Sequence, residues 1–491
     1  MIKQDYDKFS DKRTPYEDRA ETYAKVTLPF IFPEESSNGS TDLEDNLVQS
    51  LGGMGVNSLA SKLVLSLLPP QGRFFRLQPS SAEAMNSVTG GDENAKAEVV
   101  AILSEGEEQV LSEIERQDIR TAFYTIMRTL IIVGNILVEK KEGTGLKLHT
   151  LRNYVVERDS RQKPVDIIIK ESIHKDNLPE ELADFNVEEG REEYDLYTRF
   201  KRTEGKWIRT QEIEGEEVGQ EANYDDETLP VKALGWNFLP DEEYARAYVE
   251  DIVGDLIQYQ KCTNLFVEGS MGSAKQIWTV NPMGQTRKSD VTGASNLDVI
   301  DGRADDVSVI RSDKNYDMAL LAQYRDELRR SIGKAFLDTG SVQRDAERVT
   351  AQEIQLMVRE LETGLAGTFS LLANELLLTI VKWIIEEVGL EVDNATDIKI
   401  TVGVDALSRN KQADILMQYV QTIHTLRYND YLSEAEIVQR LANYMGINNV
   451  NLVLTPKQVQ EKRAAAAQAA QAQSAGMAQA QNPNEQQVPM Q

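Results

Sequence analysis

The chain has 491 residues, 41% hydrophobic and 27% charged, a balance that excludes a disordered protein and suits a folded one of about three domains. Lys and Arg number 53 against 80 Asp and Glu, a net charge of −27, so the chain is not a basic protein that grips duplex by displacing counterions. It either avoids nucleic acid or stays beside it without gripping. The single cysteine, Cys262, excludes an internal disulfide and fits a reducing compartment.

The first stretch, MIKQDYDKFSDKR, lacks the apolar core of a signal peptide. Residues 1–135 read mainly helical. Asp42 to Leu68 carries Leu43, Leu47, Leu51, Leu59, Leu63 and Leu67 on one helical face; Gly52, Gly53 and Gly55 are expected to interrupt it, and Pro69-Pro70 to end it. A second helix is expected over about Glu93 to Glu115, and Ile119 to Val133 is apolar enough to be core. From Gly145 to about Leu239 the period changes to short alternating runs bounded by turn residues, which read as strands and a hairpin. Between Asp176 and Glu227 there are 18 acidic and 6 basic residues. That region is either a solvated, self-repelling surface or a field that repels DNA phosphate or recruits a basic partner.

After Pro240 a long helix is expected from Asp241 to about Gly269, with Asp241, Glu242 and Glu243 favouring its N-terminal dipole. A compact insertion at 271–312 contains the strands QIWTV and DVSVI, and a helix from about Tyr316 to Leu337 returns antiparallel. An exposed, mixed-charge loop follows, carrying Gln343, Arg344, Asp345, Glu347 and Arg348. Thr350 with Glu353 forms a capping box that opens the longest helical tract, to about Val388. Its apolar stretch, Leu371 to Ile385, is shorter than the ~20 residues that span a bilayer and is broken by Asn374, Glu375 and Lys382, so it reads as a buried helix. IKITV at 398–402 is a short strand, and Ser433 with Glu436 caps a further helix. The end is low complexity, with ten Ala and five Gln in 464–481.

Motifs for chemistry are missing. GGMGVNSLASK (52–62) lacks the adjacent Gly-Lys-Ser/Thr of a phosphate-binding loop, and a helix interruption explains it better. His149, His174 and His424 stand in unlike contexts, and no His or Cys spacing suggests a metal. Carboxylate pairs such as Glu216-Glu217 and Asp305-Asp306 read as exposed turns with nothing to separate their pKa values. An enzyme is not expected, nor a metal or cofactor; a structural or binding role is.

Three segments carry a resemblance. RTPYEDRAETYAKVTLPFIFP (13–33), GMGVNSLASKLVLSLLPPQGRFFRL (53–77) and SVQRDAERVTAQEI (341–354) resemble, in that order, the opening helix, a helix ending in Leu-Pro before an aromatic-Arg-Leu strand, and the tunnel loop of the podovirus head-to-tail connector (portal) family. The likeness spans most of residues 10–450. It implies an α+β, mainly helical subunit of a ring, typically twelvefold, at one capsid vertex of a bacteriophage. In the family's terms the wing would be 1–240, with its β region at 145–240, and the stem 241–270 and 313–337. The clip would be 271–312, the tunnel loop 338–348, a long wing helix and strand 349–405, the crown 406–463, and a low-complexity tail 464–491.

The implied partners are further copies of the chain, double-stranded DNA bound without sequence preference, the terminase large subunit, a tail adaptor, and capsid, scaffold and internal core proteins, with no membrane. The implied location is the portal vertex of the virion, and the host cytoplasm during assembly. Arg344, Arg348, Gln343 and, more weakly, Lys334 would meet DNA; the alternative for the arginines is salt bridging between subunits through Asp345, Glu347 or Glu353. Arg287, Lys288 and Arg303 would dock the motor and later the tail, or else are merely solvated. The rival reading is an intracellular helical oligomeric adaptor or scaffold protein that never touches DNA.

Overall fold

A computed structural model describes residues 1–34, 49–69, 74–79, 86–87, 89–90, 93–141, 143–177, 192–274, 277–310, 315–337, 351–365, 367–389, 398–402 and 409–425, with 437 and 441. The expected loop at 338–348, Thr350 of the capping box, the pair Ser433 and Glu436, and the tail 464–491 lie outside the described residues. In chain order the helices are α1 (Ile2–Lys25), α2 (Leu51–Leu67), α3 (Glu93–Arg116), α4 (Ile119–Ile132), α5 (Val253–Ala274), α6 (Lys288–Gly293), α7 (Asn315–Ala335), α8 (Ala351–Leu365), α9 (Gly367–Leu372), α10 (Leu378–Val388) and α11 (Arg409–Thr425). The strands are β1 (Phe75–Pro79), β2 (Asn135–Lys141), β3 (Gly145–His149), β4 (Tyr154–Arg158), β5 (Pro164–His174), β6 (Glu193–Thr203), β7 (Lys206–Ile213), β8 (Glu216–Tyr224), β9 (Val231–Gly235), β10 (Ile277–Val280), β11 (Val307–Ile310) and β12 (Ile398–Val402). The α+β class with a helical majority is observed.

The chain forms two compact units. The first comprises Met1–Ser66 and Gln117–Leu371. Within it β4 to β8 form an antiparallel meander in sequence order, and β3-β2-β9 a smaller sheet. Ile2, Tyr6 and Phe9 recur at helical spacing on α1 and are buried with Val155, Ile168 and Tyr197 of the meander. Arg13, on the same helix, is buried too. Its Nη1 donates to the Tyr154 carbonyl at 2.7 Å and the Tyr6 hydroxyl at 3.1 Å, and its Nε faces Glu17 at 2.7 Å. A buried guanidinium is tolerable only with such partners.

Two local expectations are corrected here. The glycines at 52, 53 and 55 do not interrupt a helix; they lie inside the first turns of α2. A Cβ at Gly52 would stand 2.4 Å from the Val26 carbonyl oxygen, and one at Gly55 2.3 Å from the Phe336 ring, so their smallness serves close packing. The acidic triplet 241–243 does not open a helix either. Residues 241–252 are turns and one 3-10 turn, and α5 begins at Val253. There Glu242 and Glu250 instead pair with Arg246, on either side of it.

The second unit comprises Leu67–Arg116 and Leu372–Gln491. β1 pairs antiparallel with β12, Phe75 opposite Val402, so the predicted strand at 398–402 is present. The Glu107 carboxylate of α3 accepts the Leu77 amide at 2.9 Å, tying helix to strand. The tract expected to Val388 is helical at every described residue from Ala351 on, as α8, α9, a π-helical turn at Ala373–Leu377, and α10. The run Gly367–Val388 is long and apolar enough to cross a membrane by length and composition alone. Its Ile380, Val381, Trp383, Ile384 and Ile385 are nonetheless buried in the protein, as a core helix requires.

Candidate functional site

The insertion expected at 271–312 is built on a four-rung ladder. β10 and β11 pair antiparallel, Ile277 opposite Ile310 and Val280 opposite Val307. Between them residues 281–306 make an excursion closed by one buried carboxylate. Asp306, read from sequence as an exposed turn residue, is in fact buried. Its Oδ2 accepts the amides of Gln285 at 2.9 Å and Thr286 at 3.2 Å, and lies 3.3 Å from the Thr286 hydroxyl. That hydroxyl accepts the Arg303 amide at 3.0 Å, and the Asn281 amide donates to the Asp306 carbonyl at 2.8 Å. Gly284 leaves the space that the carboxylate fills, since a Cβ there would sit 2.4 Å from it. By contrast Glu216 and Glu217 are exposed as expected, but on strand β8 rather than in a turn.

Fastened in this way, the excursion exposes much of its surface to solvent. Met283, Leu297 and Val299 are 94%, 93% and 97% exposed, and Arg287, Lys288 and Arg303 are exposed as well. Arg287 precedes the short helix α6, and Lys288 is its first residue. The structure thus brings the three basic residues of the predicted docking set onto one excursion. Three large apolar side chains beside them escaped the sequence reading. Isolated exposed apolar residues are ordinary; three so fully exposed within one excursion are a composition suited to meeting a partner.

Below the excursion, α5 and α7 run antiparallel. The Tyr324 hydroxyl donates to Gln258 Oε1 at 2.6 Å, and Ser331 to Asp255 at 3.3 Å. Leu265 and Met271 on α5 and Leu320 and Tyr324 on α7 are exposed. Lys334 is exposed in the last turn of α7, three residues before Leu337, where the described chain pauses. Gln343, Arg344 and Arg348 lie outside the described residues.

The one group of the described residues with metal-ligand chemistry joins the five-stranded meander to the sheet β3-β2-β9: Glu139 on β2, His149 on β3 and Glu171 on β5. His149 is buried, with Nε2 2.8 Å from Glu139 and Nδ1 3.7 Å from Glu171. The carboxylates thus flank opposite ring nitrogens, whereas a chelated ion binds one nitrogen only. Lys141 lies 2.9 Å from Glu139, and Lys147 pairs with Glu171, so each carboxylate already has a cation. The donors fit an ion cluster better than a metal. Sequence reading missed it because the residues meet only in the fold: β2 and β3 pair to bring Glu139 to His149, and Glu171 comes from the other sheet.

Burial pushes the Glu139 carboxyl up, but the His149 hydrogen bond and the Lys141 charge outweigh it and hold it at about 2. With a folded value below the ordinary 4.5, its contribution is complete above that pH and is lost as pH falls towards about 2. Glu139→Gln is therefore expected to lower Tm at neutral pH, by a deficit that shrinks below pH 4.5. Thermal melts across pH test this; a deficit of constant size would refute it.

The description "Bacteriophage head to tail connecting protein" belongs to a family model that matches residues 1–449. The portal protein of Escherichia phage T7 is 32% identical over 481 residues, covering 94% of this chain and 89% of its own length. That of Enterobacteria phage T3 is also 32% identical, with coverages of 93% and 88%. That of Enterobacteria phage SP6 is 28% identical, with coverages of 87% and 86%. Among solved structures, a chain from the neck of an empty GTA particle matches 80% of this chain and 90% of its own, at 11% identity and a TM-score of 0.40.

Proposed function

The chain belongs to the bacteriophage head-to-tail connecting protein family, whose relatives here are podophage portal proteins, and from that premise we propose that it closes into a ring, typically of twelve copies, at one vertex of the phage head. Double-stranded DNA passes through the ring during packaging, is held there, and leaves through it at ejection. The terminase motor and later the tail adaptor dock at the 281–306 excursion. Capsid, scaffold and internal core proteins meet the ring's outer parts. The protein works in the host cytoplasm during assembly and in the virion thereafter.

The observation that carries this reading is the family match along 1–449. Two physical features support it. The α5–α7 hairpin leaves Leu265, Met271, Leu320 and Tyr324 exposed, and a heterologous contact that closes on itself would cover such a face. The net charge of −27 per copy gives a wall that DNA does not stick to, because few cations are offered for counterion release. A few basic side chains then suffice for weak, sequence-independent phosphate contacts. Arg344, Arg348 and Gln343, with Lys334, are assigned that role. Arg287, Lys288 and Arg303 are assigned to docking, beside Met283, Leu297 and Val299.

Particle imaging of the purified protein tests the proposal. Closed rings with a central hole wide enough for duplex are expected. A compact dimer would instead favour an intracellular helical adaptor or scaffold that never meets DNA.

A further inference from the structure

Within the first unit three helices converge where α7 ends. On α2, Gly55, Leu59 and Lys62 share one face at helical spacing. Gly55 receives the Phe336 ring, and Leu59 is fully buried. Lys62, one turn further on, is also fully buried, which is rare for a lysine without partners. Its Nζ donates to the carbonyl of Leu337, the last described residue after α7, and stands 3.5 Å from the Glu360 carboxylate of α8. Four residues along α8, Gly364 lies against the same Leu337; a Cβ there would come within 2.9 Å of its side chain. Tyr248 adds a hydroxyl donated to the Ala335 carbonyl, and its ring packs against Phe336 at 6.2 Å.

Leu337 has φ +54, so the helix is turned off at that residue rather than frayed. Its carbonyl lies just past the C-terminal end of α7, where the helix dipole favours a cation. Lys62 thus touches both helices that bound residues 338–350: α7 at its end and α8 at Glu360. A single buried ammonium sets the placement of one relative to the other. An apolar side chain of the same length could fill the space but would leave a carbonyl and a carboxylate unsatisfied.

We propose that Lys62 is a positioning residue, a buried clamp between Leu337 and Glu360 that fixes the end of α7 relative to α8, the two helices that bound residues 338–350. The clamp itself is a property of the folded subunit; its consequence for DNA rests on the reading above.

The test uses full-length Lys62→Met and Glu360→Gln, with Lys62→Arg as the conservative variant. Hydrogen exchange of peptides covering 330–337 and 356–364 is expected to rise about tenfold in Lys62→Met, while exchange elsewhere and ring assembly stay unchanged. In phage complemented with the same variant, heads should lose packaged DNA to nuclease faster, and Lys62→Arg should restore most of both effects. Should Lys62→Met fail to fold, Glu360→Gln, which removes one partner only, is read in its place, with a smaller rise expected at the same peptides. Unchanged exchange at both peptides overturns the clamp and leaves the assignment of Arg344 and Arg348 standing. A rise spread over the whole subunit overturns it too, as general destabilisation. A local rise with normal DNA retention overturns the positioning role, whereas normal retention in an Arg344 and Arg348 double variant overturns the channel reading itself.

Discussion

Heads assembled with Arg344→Ala and Arg348→Ala together are expected to form normal rings but to hold about tenfold less nuclease-protected DNA. A guanidinium presents a rigid fork of donors that matches phosphate oxygens, so alanine removes both the charge and the geometry. One such contact is weak, as a sliding track requires. In the proposed ring, symmetry would multiply it, which makes the expected summed loss large. Should the arginines instead bridge subunits through Asp345, Glu347 or Glu353, the variant would fail earlier, at ring formation. Imaging and nuclease protection on one preparation separate the two, and filled heads that keep their genomes would remove the arginines from the mechanism.

Asp306→Ala is expected to loosen the 281–306 excursion while leaving the rest of the subunit folded. The carboxylate accepts two amides and faces a hydroxyl, at 2.9, 3.2 and 3.3 Å. Hydrogen bonds to a charged acceptor contribute roughly 1.5–3 kcal/mol each, so even at the low end the loss of all three amounts to about 4.5 kcal/mol locally. That corresponds to on the order of a thousandfold faster hydrogen exchange across the excursion. The main melting transition should barely move, because the ladder beneath is separate. Binding of the purified motor subunit should weaken along with it, since Arg287, Lys288 and Arg303 would no longer be held together. Asp306→Asn, which keeps one acceptor oxygen, should fall between. Unchanged exchange in 281–306 would show that the carboxylate is not what closes it.

Much of the fold was legible in the sequence where the signal is local. The helices at 93–116 and 119–132 and the strands at 277–280, 307–310 and 398–402 follow from periodicity and turn residues within a few positions of the expected bounds. Failures occur where distant residues decide. Asp241, Glu242 and Glu243 suit a helix start, but Lys12 takes up Glu243 and Asn135 holds the Ala245 backbone, and the helix waits until Val253. Gly52, Gly53 and Gly55 lower helix propensity, yet contacts with residues 26–28 and 336 need their missing side chains. Asp306 beside Asp305 looks solvated until a turn twenty residues upstream folds over it. The basic residues assigned to docking were readable as charge, but the exposed apolar residues Met283, Leu297 and Val299 of the same excursion look in sequence like any buried residues.

The four-rung ladder of β10 and β11 has an implication for lineage change. Whatever lies beyond it is fastened only at one narrow neck. Doubling the length of chain enclosed by such a neck adds only about 0.6 kcal/mol of closure entropy. The segment beyond the neck can therefore be lengthened, shortened or rewritten while the helices underneath keep their spacing, so that under the proposed function its docking surface could diverge from one phage to another without altering the ring.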